Sequence, residues 1–284
     1  MATGFIATNI KKKFGLIPIE DSFSIDSKNK IFAVADGVTR DPVEYLPDLN
    51  TLRGKIEFSF SYPRPSPAKT ASDIFTQTFP MVLNDYDSIN RDEKSIRIAF
   101  EEANKNIREW NKQNMLNPDY VLSDYSGCVA SGTLLNRNLV YLGFLTDCGV
   151  AIFDESGELK FRTENQGPDK YDKYIWQDER LKNITWNNPE ARRIVRRDYR
   201  NNPMEENSFG VLTGQQTAMH YVRTSTQEIK PNEFLIVYSD GLEQTIFSNE
   251  FAEKLKQRDI KILEKLCRKK VRTEGTLIYY ERND

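Results

Sequence analysis

The chain has 284 residues, of which 38% are hydrophobic and 11% aromatic, enough to enclose a large core, and an α/β protein of this length is expected to form one domain spanning 1–284. Forty lysines and arginines against 42 acids give a formal charge of -2, which excludes the broad positive field that draws proteins to nucleic acid or to an anionic membrane. Cys128, Cys148 and Cys267 are few and far apart, no C-x-x-C zinc signature occurs, and no apolar run approaches the roughly 18 residues of a membrane span, so a cytoplasmic protein is expected.

Residues 20 to 36 alternate at Phe23 and Ile25, break at Ser-Lys-Asn-Lys, and resume as IFAVA, which predicts a β-hairpin. With a loop over 27 to 30, residue 26 pairs with 31, and counting back sets Asp21 opposite Asp36 at the open end. Helical spacing follows over 67 to 86, with Pro80 expected to kink or interrupt it. Over 92 to 114, Ile96, Ala99, Phe100, Ala103, Ile107 and Trp110 form one stripe behind an Asp92 N-cap, predicting a long core-facing helix with Trp110 in the core.

Three short β-rich runs at 126 to 135, 138 to 145 and 149 to 153 read as consecutive antiparallel strands. Residues 160 to 210 are polar and predict a surface excursion with one short helix near 189 to 199. A strand is expected over 218 to 226, carrying His220, the only histidine, in a structural or surface role. EFLIVYS at 233 to 239 ends in Asp240-Gly241, residues 248 to 269 predict one helix, and TLIYY at 276 to 280 predicts a closing strand.

The clearest apolar strands each carry an acid at one end: Asp36 after IFAVA, Asp240 after FLIVYS, and Glu274 just before TLIYY. A carboxylate at the edge of a hydrophobic strand is costly to desolvate unless it meets water or a cation, and hard oxygen ligands suit Mg²⁺ or Mn²⁺. Gly37 and Gly241 follow two of these acids, where a missing β-carbon lets backbone approach a ligand closely, although Asp-Gly also simply makes turns.

Taken in order, Glu20-Asp21, FAVADG at 32 to 37, SGTLL with LVYLGFLTDCGVAIF at 131 to 153, EFLIVYSDGL at 233 to 242 and EGTLIYY at 274 to 280 resemble the metal-dependent Ser/Thr protein phosphatases of type 2C, the PPM family, in its bacterial form. The resemblance spans nearly the whole chain. It implies an α+β fold, a four-layer α-β-β-α sandwich of two antiparallel sheets, with two Mg²⁺ or Mn²⁺ ions at one end of the sheets. It further implies hydrolysis of a phosphomonoester by metal-activated water, on a phosphoserine or phosphothreonine protein substrate.

Carried over by position, Asp36 would bridge both cations, Gly37 would offer its carbonyl, Asp240 would ligate one metal, and Glu20 and Asp21 would hold waters on the metals. Asp147 would contribute to a third, weaker cation. Four positions depart from the pattern. The final ligand position is Thr273, with Glu274 one residue later and, being one methylene longer than aspartate, the candidate ligand in its place; Leu16 replaces a phosphate-gripping arginine, for which Lys13 or Arg40 are the candidates; Val38 stands in place of a histidine; and Gln244 replaces an acid. These departures support a second reading, a non-catalytic or weakly active regulatory module with the same fold, and a phosphatase acting on a small molecule is a third. The sequence is silent on oligomeric state.

Overall fold

A computed structural model describes residues 2–9, 12, 18–38, 51–85, 91–114, 126–182, 184 and 188–283. Among the described residues, ten strands form two five-stranded sheets in which every strand pairing is antiparallel. They are β1 (Ala2–Thr8), β2 (Ser22–Asp26), β3 (Ile31–Gly37), β4 (Cys128–Asn136), β5 (Leu139–Leu145), β6 (Gly149–Phe153), β7 (Leu159–Arg162), β8 (Arg223–Glu228), β9 (Phe234–Tyr238) and β10 (Glu274–Glu281). The first sheet has the order β1-β10-β9-β6-β7 and the second β2-β3-β4-β5-β8.

The strand pattern dictates the layering. Alternate residues of β3 point to opposite faces. Phe32 and Val34 meet Leu235, Val237 and Ile278 of the first sheet, making the layer between the sheets. Ile31, Ala33 and Ala35 face outward, onto α2 (Pro67–Asn84) and α3 (Glu93–Asn114). On the far side of the first sheet, Ala151, Phe234 and Ile236 pack against α7 (Asn249–Leu255) and α8 (Ile260–Lys270). The result is the α-β-β-α sandwich that the resemblance implies. Among the described residues, no helix is long and apolar enough to cross a membrane.

Two glycines set the helix–sheet spacing on the second sheet. Gly132 of β4 and Gly143 of β5 are cross-strand partners. A β-carbon at the first would lie 2.4 Å from the Phe79 ring, and at the second 2.6 Å from Ile96 and 2.8 Å from the Phe100 ring. The bare patch seats Phe79 and Phe100, which meet edge to face at 5.8 Å.

The predicted hairpin register holds, with Asp26 opposite Ile31 and Ser22 opposite Ala35. The Asp92 cap also holds: its Oδ1 accepts from the amides of Lys94 and Ser95, each at 3.0 Å. Several expectations are corrected. Helix α2 runs unbroken through Pro80, because burial of Phe75, Phe79 and Leu83 on both sides of the proline outweighs one lost backbone bond. Trp110 is half-buried, and the last buried position of the α3 stripe is Asn111, whose amide donates to the Ser126 and Thr213 carbonyls at 3.0 Å. The single helix expected over 248 to 269 is two, broken where Arg258 takes a φ of 54° and Asp259 caps α8 by accepting from the Lys261 amide.

His220 lies in a 3₁₀ turn (Gln216–His220), exposed, and the strand expected over 218 to 226 begins only at Arg223. The three β-rich runs are strands, but β6 does not continue the second sheet: the Thr146–Cys148 turn carries the chain across to the first. The N-terminus adds β1, an edge strand that the sequence reading passed over, as it did β7. The polar excursion is also less loose than its composition implies. It holds α4 (Pro168–Ile175) and α5 (Pro189–Ile194), the latter continued by a π turn (Val195–Tyr199). Ile175, Leu181, Ala191, Ile194 and Val195 bury one another against Val129, Cys148 and Val38.

Candidate metal centre

At one end of the sandwich the two sheets bring five acids together. Asp36 is the second-last residue of β3, and Asp21 immediately precedes β2, one step beyond the Ser22–Ala35 pair. Asp147 sits in the turn that crosses between sheets, where Thr146 takes a φ of 68° and its hydroxyl donates to the Gly210 carbonyl. Asp240 follows β9 and Glu274 opens β10. Oxygens of Asp21, Asp36 and Glu274 all lie within 4.8 Å of one another. The Asp240 carboxyl reaches hydrogen-bond range of Asp36, and the Asp147 charge acts on Asp36 as well.

Gly241 allows the first sheet to present both its acids at one point. A β-carbon there would lie 1.8 Å from the Glu274 carbonyl oxygen, so only glycine lets the turn after Asp240 stack on the start of β10. Gly37 is packed in the same way, its site lying 2.7 Å from the Ala68 backbone and 2.8 Å from the Glu20 carbonyl.

Burial sets the electrostatics. The pKa of Asp36 is raised well above the ordinary carboxylate range, first by burial and then by the charges of Asp21, Asp240 and Asp147. Burial also raises that of Asp21, against the pull of hydroxyl donors: Ser239 and Thr276 each donate to its Oδ2 at 2.7 Å. Thr276 belongs to β10 and Ser239 directly follows β9, so Asp21 ties the second sheet to the first at the centre. Its other oxygen, Oδ1, is buried with no hydrogen-bond partner. Glu274 rises to about 7, through burial and the nearby Asp21 charge, although Lys12 opposes the shift. Cys128 and Cys148 are buried free thiols with raised pKa values, which suits packing and not nucleophilic attack.

A divalent cation fits these residues. Clustered hard oxygens, a buried carboxylate oxygen without a donor and mutual repulsion that holds protons on the group are what an oxygen-ligated ion relieves. Not every candidate joins the cluster. Glu20, beside Asp21, has its Oε1 taken up by the Tyr62 and Ser66 hydroxyls, each at 2.7 Å. Glu274 reaches the group, but its Oε1 accepts from the Lys12 ammonium and both its oxygens lie near the Glu20 amide, at 3.2 and 3.1 Å. Gln244 leaves the neighbouring Glu243 to accept from the Asn165 amide at 2.8 Å. Val38 packs into the apolar cluster of the excursion. Lys13, Arg40 and Leu16 lie outside the described residues.

Sequence reasoning missed Lys12, Ser239 and Thr276. The last two flank acids already singled out, so their proximity to the motifs was a usable signal. Nothing in the pattern around Lys12 marked it off from the basic residues beside it.

Comparison with known proteins settles the architecture. No protein-family model and no curated protein matches the sequence. Solved structures do match. The catalytic domain of the Ser/Thr protein phosphatase PstP, solved in complex with two manganese ions, superposes with a TM-score of 0.64 at 14% identity, covering 100% of this chain and 98% of that one. This is the PPM phosphatase fold. The Mycobacterium tuberculosis phosphatase PstP/Ppp matches with a TM-score of 0.64 at 16% identity, covering 100% and 99% of the two chains. The PPM Ser-Thr phosphatase MsPP from Mycobacterium smegmatis, in complex with cacodylate, gives 0.57 at 14% identity over 100% and 98%.

Proposed function

We propose that this chain is a metal-dependent phosphomonoester hydrolase acting on phosphoserine or phosphothreonine in proteins. The observation that carries the reading is the convergence of Asp36 and Asp240, more than 200 positions apart in sequence, into one acidic group with Asp21 and Asp147 in the fold of known phosphatases. Asp36, Asp240 and Asp21 would hold a pair of Mg²⁺ or Mn²⁺ ions, with Asp147 at the side of a weaker third and the Gly37 carbonyl at hand. Bound there, such ions neutralise the phosphoryl oxygens and lower the pKa of water so that it attacks phosphorus.

The chain's own residues prepare that chemistry. Ser239 and Thr276 fix Asp21 through one oxygen and leave the other for a ligand. Glu20, bound by Tyr62 and Ser66, anchors the segment before β2 to α2 and to α1 (Leu52–Ser61). Neither the histidine nor a cysteine is called on: His220 is exposed in a 3₁₀ turn, and the thiols are packed in apolar layers. The excursion packs against Val38 and Cys148, which neighbour Asp36 and Asp147 in sequence, and would shape which phosphoprotein enters. Three buried free cysteines support a reducing compartment such as the cytoplasm, and the pairing of β1 with β10 supports a single domain that joins both ends of the chain.

The test is hydrolysis by the purified full chain of a phosphothreonine peptide and of p-nitrophenyl phosphate, with Mn²⁺, with Mg²⁺ and with a chelator. Turnover of the peptide that needs the cation supports the reading. Metal-independent turnover, or none in folded protein with Mn²⁺, overturns it, and preference for a small phosphomonoester moves the substrate class.

A further inference from the structure

Lys12 is a basic side chain placed at the edge of the acidic cluster, against Glu274. Its ammonium is buried, with 9% of the residue exposed, and it pairs with Glu274, itself 8% exposed. Among the described residues, none of Asp21, Asp36 and Asp240 has an ion pair of this kind. Burial strips both the ammonium and the carboxylate of hydration, and each offsets the other's loss, so this contact is held in place from both sides.

The backbone aims Lys12 at this point. The β1–β10 ladder ends with Thr8 opposite Glu274. Beyond it, the Asn9 amide donates to the Thr273 carbonyl at 2.7 Å, and Asn9 Nδ2 donates to the Arg272 carbonyl at 2.6 Å. Asn9 Oδ1 then accepts from the Lys12 amide at 3.1 Å. Asn9 thus ties Lys12 to the residues that lead into Glu274, and the cation is tethered to the strand whose first carboxylate it meets.

We propose that Lys12 serves as a built-in cation at the Glu274 corner of the centre, withdrawing that carboxylate from the ligand set and weakening the hold of the remaining acids on divalent ions. The inference rests on the cation-binding reading above and deepens it. Glu274 then acts as a positioning residue: it shares its two oxygens between an ammonium and the Glu20 amide, and so fixes the backbone of Glu20 and Asp21 while Asp21, Asp36 and Asp240 bind the ions. A plain structural ion pair would affect folding alone, whereas a built-in cation sets metal affinity.

The experiment is calorimetric titration of Mn²⁺ into the metal-free full chain, with circular dichroism to establish folding. It compares wild type, Lys12→Met, Lys12→Arg, Glu274→Gln and the double variant Lys12→Met/Glu274→Gln. Lys12→Met is expected to bind Mn²⁺ at least about tenfold more tightly, or to gain a site, because Glu274 is released to ligate. Lys12→Arg should match wild type, and the double variant should lose the gain. Glu274→Gln alone, which strands the ammonium beside the acids, should weaken binding, whereas the double variant, which removes the pair without changing net charge, should stay within about threefold of wild type and decides the matter if Lys12→Met fails to fold. Mn²⁺ binding by wild type with no gain in folded Lys12→Met, or a tenfold loss in the double variant, overturns the inference and leaves the phosphatase reading intact. Binding by Lys12→Met but not by wild type upholds the inference and overturns the metal-loaded reading of the natural chain. Absence of binding in both overturns the two together.

Discussion

Asp21 and Glu274 occupy matching places, one in each sheet, each at the beginning of a strand, each buried, and each within 4.8 Å of the other and of Asp36. The molecule treats them differently. Glu274 is compensated by an ammonium and a backbone amide. Asp21 receives two neutral hydroxyls on one oxygen and nothing on the other. At Glu274 the charge is therefore compensated from within the protein, whereas at Asp21 one oxygen is left to a ligand. On the function proposed above, metal binding would fall to the Asp21–Asp36 side, with Asp240 beside it in the turn after β9.

The strongest challenge to that contrast is Asp36→Asn, which removes the acid that touches both sides. Mn²⁺-dependent hydrolysis should fall by about a thousandfold or more while the circular dichroism spectrum is kept, measured with p-nitrophenyl phosphate. Retention of more than a tenth of the rate would place the chemistry elsewhere. Gly241→Ala tests how the first sheet presents its acids. Because a methyl group there collides with the Glu274 carbonyl, unfolding free energy should drop by about 3 kcal/mol, read as a lower urea midpoint.

A smaller effect should appear in the pH dependence of the metal-free protein. Glu274 titrates near 7 in the fold against an ordinary 4.5, and the Asp21 and Asp36 values are raised too. Across that window the native state holds protons that the unfolded chain has lost, so stability should decline as pH rises from about 4.5 through about 7. A melting temperature lower by about 5 °C at the upper end, recovered on adding Mn²⁺, is the expected result. A flat profile would mean that the acids are compensated on both sides alike. Least affected should be His220→Ala, which removes an exposed ring: stability within about 0.5 kcal/mol of wild type and an unchanged rate are expected from a urea titration and the same hydrolysis assay.

Local pattern in the sequence was sufficient for much of this. Period-two alternation and a four-residue break placed β2 and β3 in register, and that register alone set Asp21 beside Asp36. Apolar strands ending in acids identified Asp36, Asp240 and Glu274, because desolvation makes such an ending costly wherever it occurs. Where the pattern competed with tertiary packing, it misled. Burial carried α2 through Pro80, a positive φ at Arg258 split the last helix, and the polar composition of 160 to 210 hid a small apolar cluster.

Other features were decided only by the tertiary structure, since they depend on distances between residues far apart in the chain. The crossing of Thr146–Cys148 between sheets, the hydroxyls of Ser239 and Thr276 on Asp21, and the ammonium of Lys12 on Glu274 across 262 positions carry no periodicity and no local spacing. Side-chain charge can be counted from a sequence, but which charge neutralises which is set by where the folded backbone puts them.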